Sequence, residues 1–399
     1  MEHHDVVVCG LGAMGSAATY QLAKRGVRVL GLDRAAPPHA LGSTHGETRI
    51  TRQATGEGLA YVPLAQRSHQ LWREIEAATG SDVLTTNGLL LLASPGVHTR
   101  HNGKSHFLQT TIAAASAFSI EYELLAATEI QRRFPQFRLT GDETGYFEPG
   151  AGFVRPETAV SAQLELATRC GGRIQTNETL TAYVQEPDGV TVTTTRRRLH
   201  ADVLVLAAGA WLGSIIGEPF ARWFVVSRQV LHWFEVAGPI EQYQPDRFPV
   251  FIWDSGPTSM YGFPSVNGAS GGVKIGLENA VPRATVADAA WEVTDQETDD
   301  LYDAVVHHRL PGLARRCLKA VTCMYTTTPD GDFVIDRHPE HESVLIVSAC
   351  SGHGFKHSAA IGEAVAARIT GERPAIDLGP FAIQRLTTAS SASTSRELC

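Results

Sequence analysis

The sequence predicts a discontinuous α/β fold, in which one parallel-sheet domain is drawn from both ends and the middle of the chain and interrupted by two β-rich blocks. Three observations carry this reading. A β-branched run, Val6 to Val8, leads through Gly10-x-Gly12-x-x-Gly15 into an alanine-rich helix and a second strand, "VRVLGLD", ending at Asp33. A buried-type strand, Val203 to Leu206, closes on Ala-Ala-Gly in mid-chain. A last strand, "SVLIVSAC", passes through the loop "SGHGF" into the helix "KHSAAIGEAVAARITG".

Each element follows from local chemistry. Gly10 permits a tight turn, Gly12 lets backbone approach a pyrophosphate, and Gly15 lets helix and strand pack closely. Phosphates are then met by free amides at a helix N-terminus. Asp33 stands where a carboxylate accepts from ribose hydroxyls, which favours FAD or NAD over NADP. "LGSTHGETRITRQATGEGLAYVPLAQRSHQLWREIEAATG" reads as a loop and then a helix with Leu64, Leu71 and Trp72 on its apolar face. Asn87 to about Gly152 reads as β-rich with one helical insert around Gln109 to Ala117. "PETAVSAQLELATRCGG" reads as a helix, followed by a three-strand meander feeding Val203–Leu206. From "WFVVSRQVLHWFEV" to about Gly276 the pattern alternates with period two, as antiparallel strands do. The polar residues after Leu386 are expected to be disordered. An NAD dehydrogenase usually completes its dinucleotide domain in one contiguous run. A discontinuous domain closed by a C-terminal glycine loop and helix suits a flavoprotein, so FAD is the expected cofactor.

Composition excludes other classes. A formal net charge of −8 speaks against a nucleic-acid partner, which would call for a basic face. No apolar run approaches the ~20 residues that span a bilayer, and the start "MEHHDVVVCGLG" enters a strand at once, so no signal peptide is expected. The six cysteines are scattered, without C-x-x-C or zinc-ligand spacing, which reads as reduced thiols in a cytoplasmic protein. "HPEH" (His338, His341) and "DGDFVID" (Asp330, Asp332, Asp336) complete no ligand set, so no metal is expected.

The blocks "PPHALGSTHGETRITRQATGEG", "YVPLAQRSHQLW", "YGFPS", "VKIG", "CMYTTTPDGDFVID" and "SGHGFKHS" stand in fixed order from about residue 4 to 385. In them the chain resembles the monomeric sarcosine oxidase and N-methyltryptophan oxidase family of amine-oxidising flavoenzymes. The resemblance implies a glutathione-reductase-like FAD-binding Rossmann domain and an interleaved substrate domain on a mixed β-sheet. The expected division is 1–85, 152–222 and 328–386 for FAD, 86–151 and 223–327 for substrate, and a tail at 387–399. The implied partners are a small amino acid and O2, with hydrogen peroxide as product, and the implied assembly is a monomer.

By itself Cys323 reads as a buried core thiol. The resemblance implies a thioether to the flavin, formed by thiolate attack on a flavin tautomer. It assigns Arg52 and Lys356 to the substrate carboxylate, where a charged hydrogen bond is worth about 1.5–3 kcal/mol. Arg49 and His45 are placed near the flavin. Arg49 and Arg52, three apart, would share one face on a helical turn. Gly352 and Gly354 let amides approach the flavin's pyrimidine edge. Lys274 is implied above the flavin, where a fixed cation favours electron transfer to O2. At 4 Å and an effective dielectric of 20 that attraction is about 4 kcal/mol, or about a thousandfold in rate. Tyr261 and Tyr325 match aromatic residues lining the substrate cavity, a place that packing explains equally. Arg228 and Gln229 fit a further block without a defined role.

One departure stands out. Relatives carry K-x-G-x-H, whereas this chain reads Lys274-Ile-Gly-Leu-Glu278. A carboxylate in place of an imidazole argues against sarcosine and admits cyclic or larger amino acids, such as pipecolate or piperideine carboxylate. The competing classes are an NAD-dependent dehydrogenase and a non-enzymatic flavin-binding protein. The first would make no peroxide without nicotinamide, and the second would show no amine-dependent bleaching.

Overall fold

The computed structural model describes residues 1–94, 100–101, 104–255, 259–278, 281–283, 286 and 292–387. The tail beyond residue 387 lies outside the described residues. One sheet has eight strands. Arg173–Gln175, Val29–Leu32, Glu2–Cys9, Arg198–Leu206 and Val344–Ser348 run parallel in that order. On its other edge the first half of Arg198–Leu206 pairs antiparallel with Gly189–Thr194, which pairs with Leu180–Glu186, and Val334–Arg337 adds antiparallel to Val344–Ser348. Both faces of this sheet are covered, so its central strands are apolar at consecutive positions rather than at alternate ones. Val6, Val8 and Val205 enter one core, beneath the helices Ala13–Lys24, Pro156–Arg169 and Ser358–Thr370. Val7, Leu204 and Leu206 enter the other. The first and last helices cross so closely that a Cβ on Gly362 would lie 2.5 Å from Ala17. Strands from residues 2, 198 and 344 thus form one sheet, the discontinuity expected from the sequence.

A second, nine-stranded sheet is mixed. Val225–Val236 pairs antiparallel with Leu313–Thr327, Val273–Leu277 and Val281–Arg283. The sheet continues through Met260–Phe263 and Val250–Asp254, then a parallel pairing with Leu89–Ala93, and ends at Thr144–Glu148 and Glu123–Ala126. A small sheet of Arg49–Thr51, Gly152–Val154 and Leu84–Thr86 adjoins both larger units and carries the arginine segment.

Three local readings differ from the structure. Arg49 and Arg52 do not lie on a helical turn: Arg49 begins a strand that ends at Thr51, because Ile50 and Thr51 are β-branched and pair with Phe153 and Gly152. The helical insert begins at Phe107, and a second helix, Ala127–Arg133, follows it. The strand expected at Val203–Leu206 extends back to Arg198, since its first half continues the meander. No helix among the described residues is long and apolar enough to cross a membrane.

Candidate active site

The glycine turn is shaped for a dinucleotide. Gly10 has φ +91°, and a Cβ there would lie 2.5 Å from the Ala207 carbonyl oxygen. A Cβ on Gly15 would fall 1.7 Å from the Gly10 oxygen. Asp33 follows the second strand and accepts from the Leu11 amide at 2.8 Å and the Ala35 amide at 2.9 Å. Burial opposes its ionisation, but these bonds and one with His39 outweigh it and hold the carboxyl below its usual range. A cavity of about 370 Å³ starts at Gly10, Gly12 and Asp33 and runs past Thr44 and Ala208 to Arg49, Cys350, Gly352 and Gly354. Its lining and its glycine edges fit an extended flavin dinucleotide, and at the start of the helix the Thr44 hydroxyl accepts from the Ala13 amide at 3.3 Å.

A second cavity of about 80 Å³ adjoins the first, and Arg49, Tyr325, Gly352 and Phe355 border both. Its floor is the mixed sheet, where register sets the side chains in rows. Lys274 and Gly276 alternate on one strand with Glu278 just past its end, and Phe263 and Tyr261 face the first two from the next strand. Gly276 must be small, because a Cβ would lie 2.5 Å from the Tyr261 ring. Cys323 and Tyr325 come from the long strand Leu313–Thr327. Arg49 Nη2 reaches Cys323 Sγ at 3.5 Å, and the hydroxyls of Tyr261 and Tyr325 lie 3.4 Å apart.

The cations are fixed by specific acceptors. Lys274 is 1% exposed and donates to the Gly46 and Thr48 carbonyls at 2.8 and 2.6 Å. Its ammonium also lies 3.8 Å from the centre of the Phe263 ring. Burial and the nearby Arg49 pull its pKa well below the ordinary lysine value. Arg52 and Lys356 meet on one carboxylate, that of Glu57. Lys356 donates to Glu57 at 3.0 Å and to the His353 carbonyl at 2.8 Å, and burial draws its pKa down to about 8. His45 sits in the turn before Lys274's acceptors without bordering either cavity. Burial and Arg49 push its pKa to about 4, and its Nε2 finds no partner among the described residues.

Most of the site residues expected from the sequence therefore converge on the two cavities, and Glu278 borders the smaller one. Arg228 does not: it pairs with Glu297 at 2.6 Å and anchors the helix Asp295–Leu301. The aspartates of "DGDFVID" are engaged by Arg385, Lys104 and Arg368. Sequence reasoning missed Glu57, Glu157, Trp233 and Phe263. Glu57 had a signal available: an acid shortly after an arginine pair, within the block that carries the resemblance.

A parallel sheet with a glycine turn and an acid at its strand ends, opening onto a small cavity walled by fixed cations, defines a flavin-dependent oxidoreductase. The chain belongs to the FAD-dependent oxidoreductase family (DAO), whose profile matches residues 5–368. It is 39% identical over 391 residues to the monomeric sarcosine oxidase of Streptomyces avermitilis, covering 97% of this chain and 98% of that one. It is 32% identical over 386 residues to the N-methyl-L-tryptophan oxidase of Salmonella heidelberg, covering 96% and 99%. Among solved structures, the open form of NikD, described as an unusual amino acid oxidase essential for nikkomycin biosynthesis, aligns with a TM-score of 0.82. Identity there is 26%, with 96% of this chain and 98% of that one covered.

Proposed function

We propose that the protein is an oxidase of secondary α-amino acids that converts the C–N bond to an imine and reduces O2 to hydrogen peroxide. The observation that carries this reading is the second cavity, which sets a carboxylate-binding pair, Arg52 and Lys356, and a buried ammonium, Lys274, around one small space beside the dinucleotide cavity. The relatives' names supply the substrate class.

Arg52 and Lys356 hold the substrate's carboxylate once it displaces Glu57. Ile252, Leu231, Phe263 and Tyr261 exclude water from the reacting carbon. The amine reacts in its neutral form, because its lone pair must become the imine bond. Bound FAD supplies the two-electron acceptor. Lys274 places a positive charge where dioxygen gains its first electron. Cys323 holds the flavin covalently. The chain works as a cytoplasmic monomer, with the division into FAD and substrate domains expected from the sequence.

Glu278 favours a second reading within the same class. A carboxylate on the wall of so small a space suits a cyclic or functionalised imino acid better than sarcosine. One experiment tests both readings. The purified protein is mixed anaerobically with sarcosine, larger N-methyl amino acids, proline and pipecolate, and flavin bleaching is followed before air is admitted. Bleaching by secondary amino acids, with one peroxide formed per turnover and no added nicotinamide, is expected. Absence of bleaching across the panel, or reoxidation that needs another acceptor, overturns the proposal.

A further inference from the structure

We propose that Glu157 is a positioning residue for Lys274: one of its carboxylate oxygens fixes the Gly46–Thr48 turn whose carbonyls hold the ammonium, and its charge stands behind that turn. The inference rests on the reading of Lys274 as the cation of the oxygen step. Glu157 borders neither cavity, so its role is visible only in three dimensions.

The turn is an unusual one. Gly46 and Glu47 are both left-handed, at φ +94° and +70°. A non-glycine residue there is held only when its surroundings over-determine it. Glu157 Oε1 accepts from both amides, Gly46 N at 2.6 Å and Glu47 N at 3.1 Å. The Glu47 side chain is tied separately, accepting from Trp233 Nε1 and Lys319 Nζ, each at 2.9 Å. With both ends held, the Gly46 and Thr48 carbonyls converge on Lys274 Nζ. Glu157 itself lies in the first turn of the helix Pro156–Arg169, a rigid element whose N-terminus favours a carboxylate.

The charges around Lys274 single out Glu157. Arg49 faces it from the arginine strand, His45 from the turn, Cys323 from the long strand, and the rings of Trp233 and Phe263 from the sheet. Glu278 follows the end of the strand that carries Lys274, and Lys319 sits on Trp233, 4.7 Å from the ring centre. Burial and Arg49 disfavour the ammonium, whereas Glu47, Glu157 and Cys323 favour it. Glu47 shares its charge with Lys319. Among the described residues no lysine or arginine forms an ion pair with Glu157, so its charge is left to act on the His45, Arg49 and Lys274 group.

Glu157→Gln separates the two contributions, since the amide oxygen still accepts from the turn while the charge is lost. The chain has five lysines, so ε-13C-lysine NMR of the holoprotein can follow Lys274 directly, assigned by its loss in Lys274→Met. The Lys274 titration midpoint is expected to fall by about one unit in Glu157→Gln. The alkaline limb of the reoxidation rate by O2 should move down with it, while anaerobic reduction by substrate changes less than about twofold. Glu157→Asp keeps the charge but withdraws the oxygen from the turn. It should leave the midpoint near its original value and slow reoxidation at every pH. An unchanged midpoint in Glu157→Gln overturns the proposal. Wild-type reoxidation by Lys274→Met would instead overturn the role of Lys274 in the proposed function, whatever the NMR midpoint does.

Discussion

Arg52 and Glu57 form a buried pair in which one guanidinium nitrogen, Nη2, donates to both carboxylate oxygens at 2.8 and 2.9 Å. Lys356, 299 residues beyond Glu57, donates to the same carboxylate. The protein's own acid therefore holds the two cations proposed for the substrate's acid. Two buried cations this close would repel without it, so Glu57 stabilises the fold while competing with the ligand.

Glu57→Gln removes the competitor and the counter-charge together. Carboxylate ligands should bind at least about tenfold tighter, a gain of about 1.4 kcal/mol, while the ligand-free protein loses about 3 kcal/mol of stability. Arg52→Gln or Lys356→Gln should weaken the same ligands instead. Spectral titration of the flavin with a carboxylate inhibitor, paired with thermal melts, checks both signs. Equal affinity in Glu57→Gln and the parent would place the substrate's carboxylate elsewhere.

Cys323 borders the cavity where the two compartments meet, within reach of Arg49. If it is the attachment point, acid precipitation leaves the yellow colour in the pellet, and Cys323→Ser releases it to the supernatant. Colour released from the parent protein would refute covalent attachment without touching the fold assignment.

Glu278 extends the row of Lys274 and Gly276, and its backbone amide bonds the Ser259 carbonyl. A carboxylate beside a substrate amine would keep it protonated, and a protonated amine cannot form the imine. Glu278 is therefore expected to meet a polar group remote from the reacting nitrogen, or to act as a base towards it. Glu278→His should shift kcat/KM towards sarcosine and away from pipecolate or larger N-alkyl amino acids. Efficient sarcosine turnover by the parent, unchanged in the variant, would show that this position does not set specificity.

Buried histidines set a pH limit on stability. Burial pushes His45, His232 and His338 to about 4 and His353 to about 3, against about 6.5 in the unfolded chain. Between those values the unfolded state binds more protons, so stability is complete above pH 6.5 and declines as the pH falls towards 4. Each group can contribute up to about 1.4 kcal/mol per pH unit. Urea midpoints at constant slope should fall between pH 6.5 and 5, and less steeply in His232→Phe. A midpoint that stays level from pH 7.5 to 5 would mean these rings are charged or exposed.

The nucleotide half of the molecule was legible because its determinants are local. Gly10, Gly12, Gly15 and Asp33 lie within one β-α-β unit, and their spacing alone marks the turn, although the atom that crowds Gly10 belongs to Ala207 from mid-chain. Lys274, Cys323 and Lys356 were legible as members of ordered blocks, although nothing in their own spacing says what they face. The tertiary structure alone decided the partners. Glu57 meets Lys356 because the last helix returns to the arginine segment, and Glu157 meets Gly46 because a helix N-terminus from mid-chain packs on that turn. Arg49 and Arg52 lie in a segment read as a loop, yet pairing with Gly152–Val154 drew Arg49 into a strand. Burial removes water as the competing partner for a charge, so the role of a buried acid or base depends on which opposite group the fold places beside it. That neighbour can lie 299 residues away, as Lys356 does from Glu57.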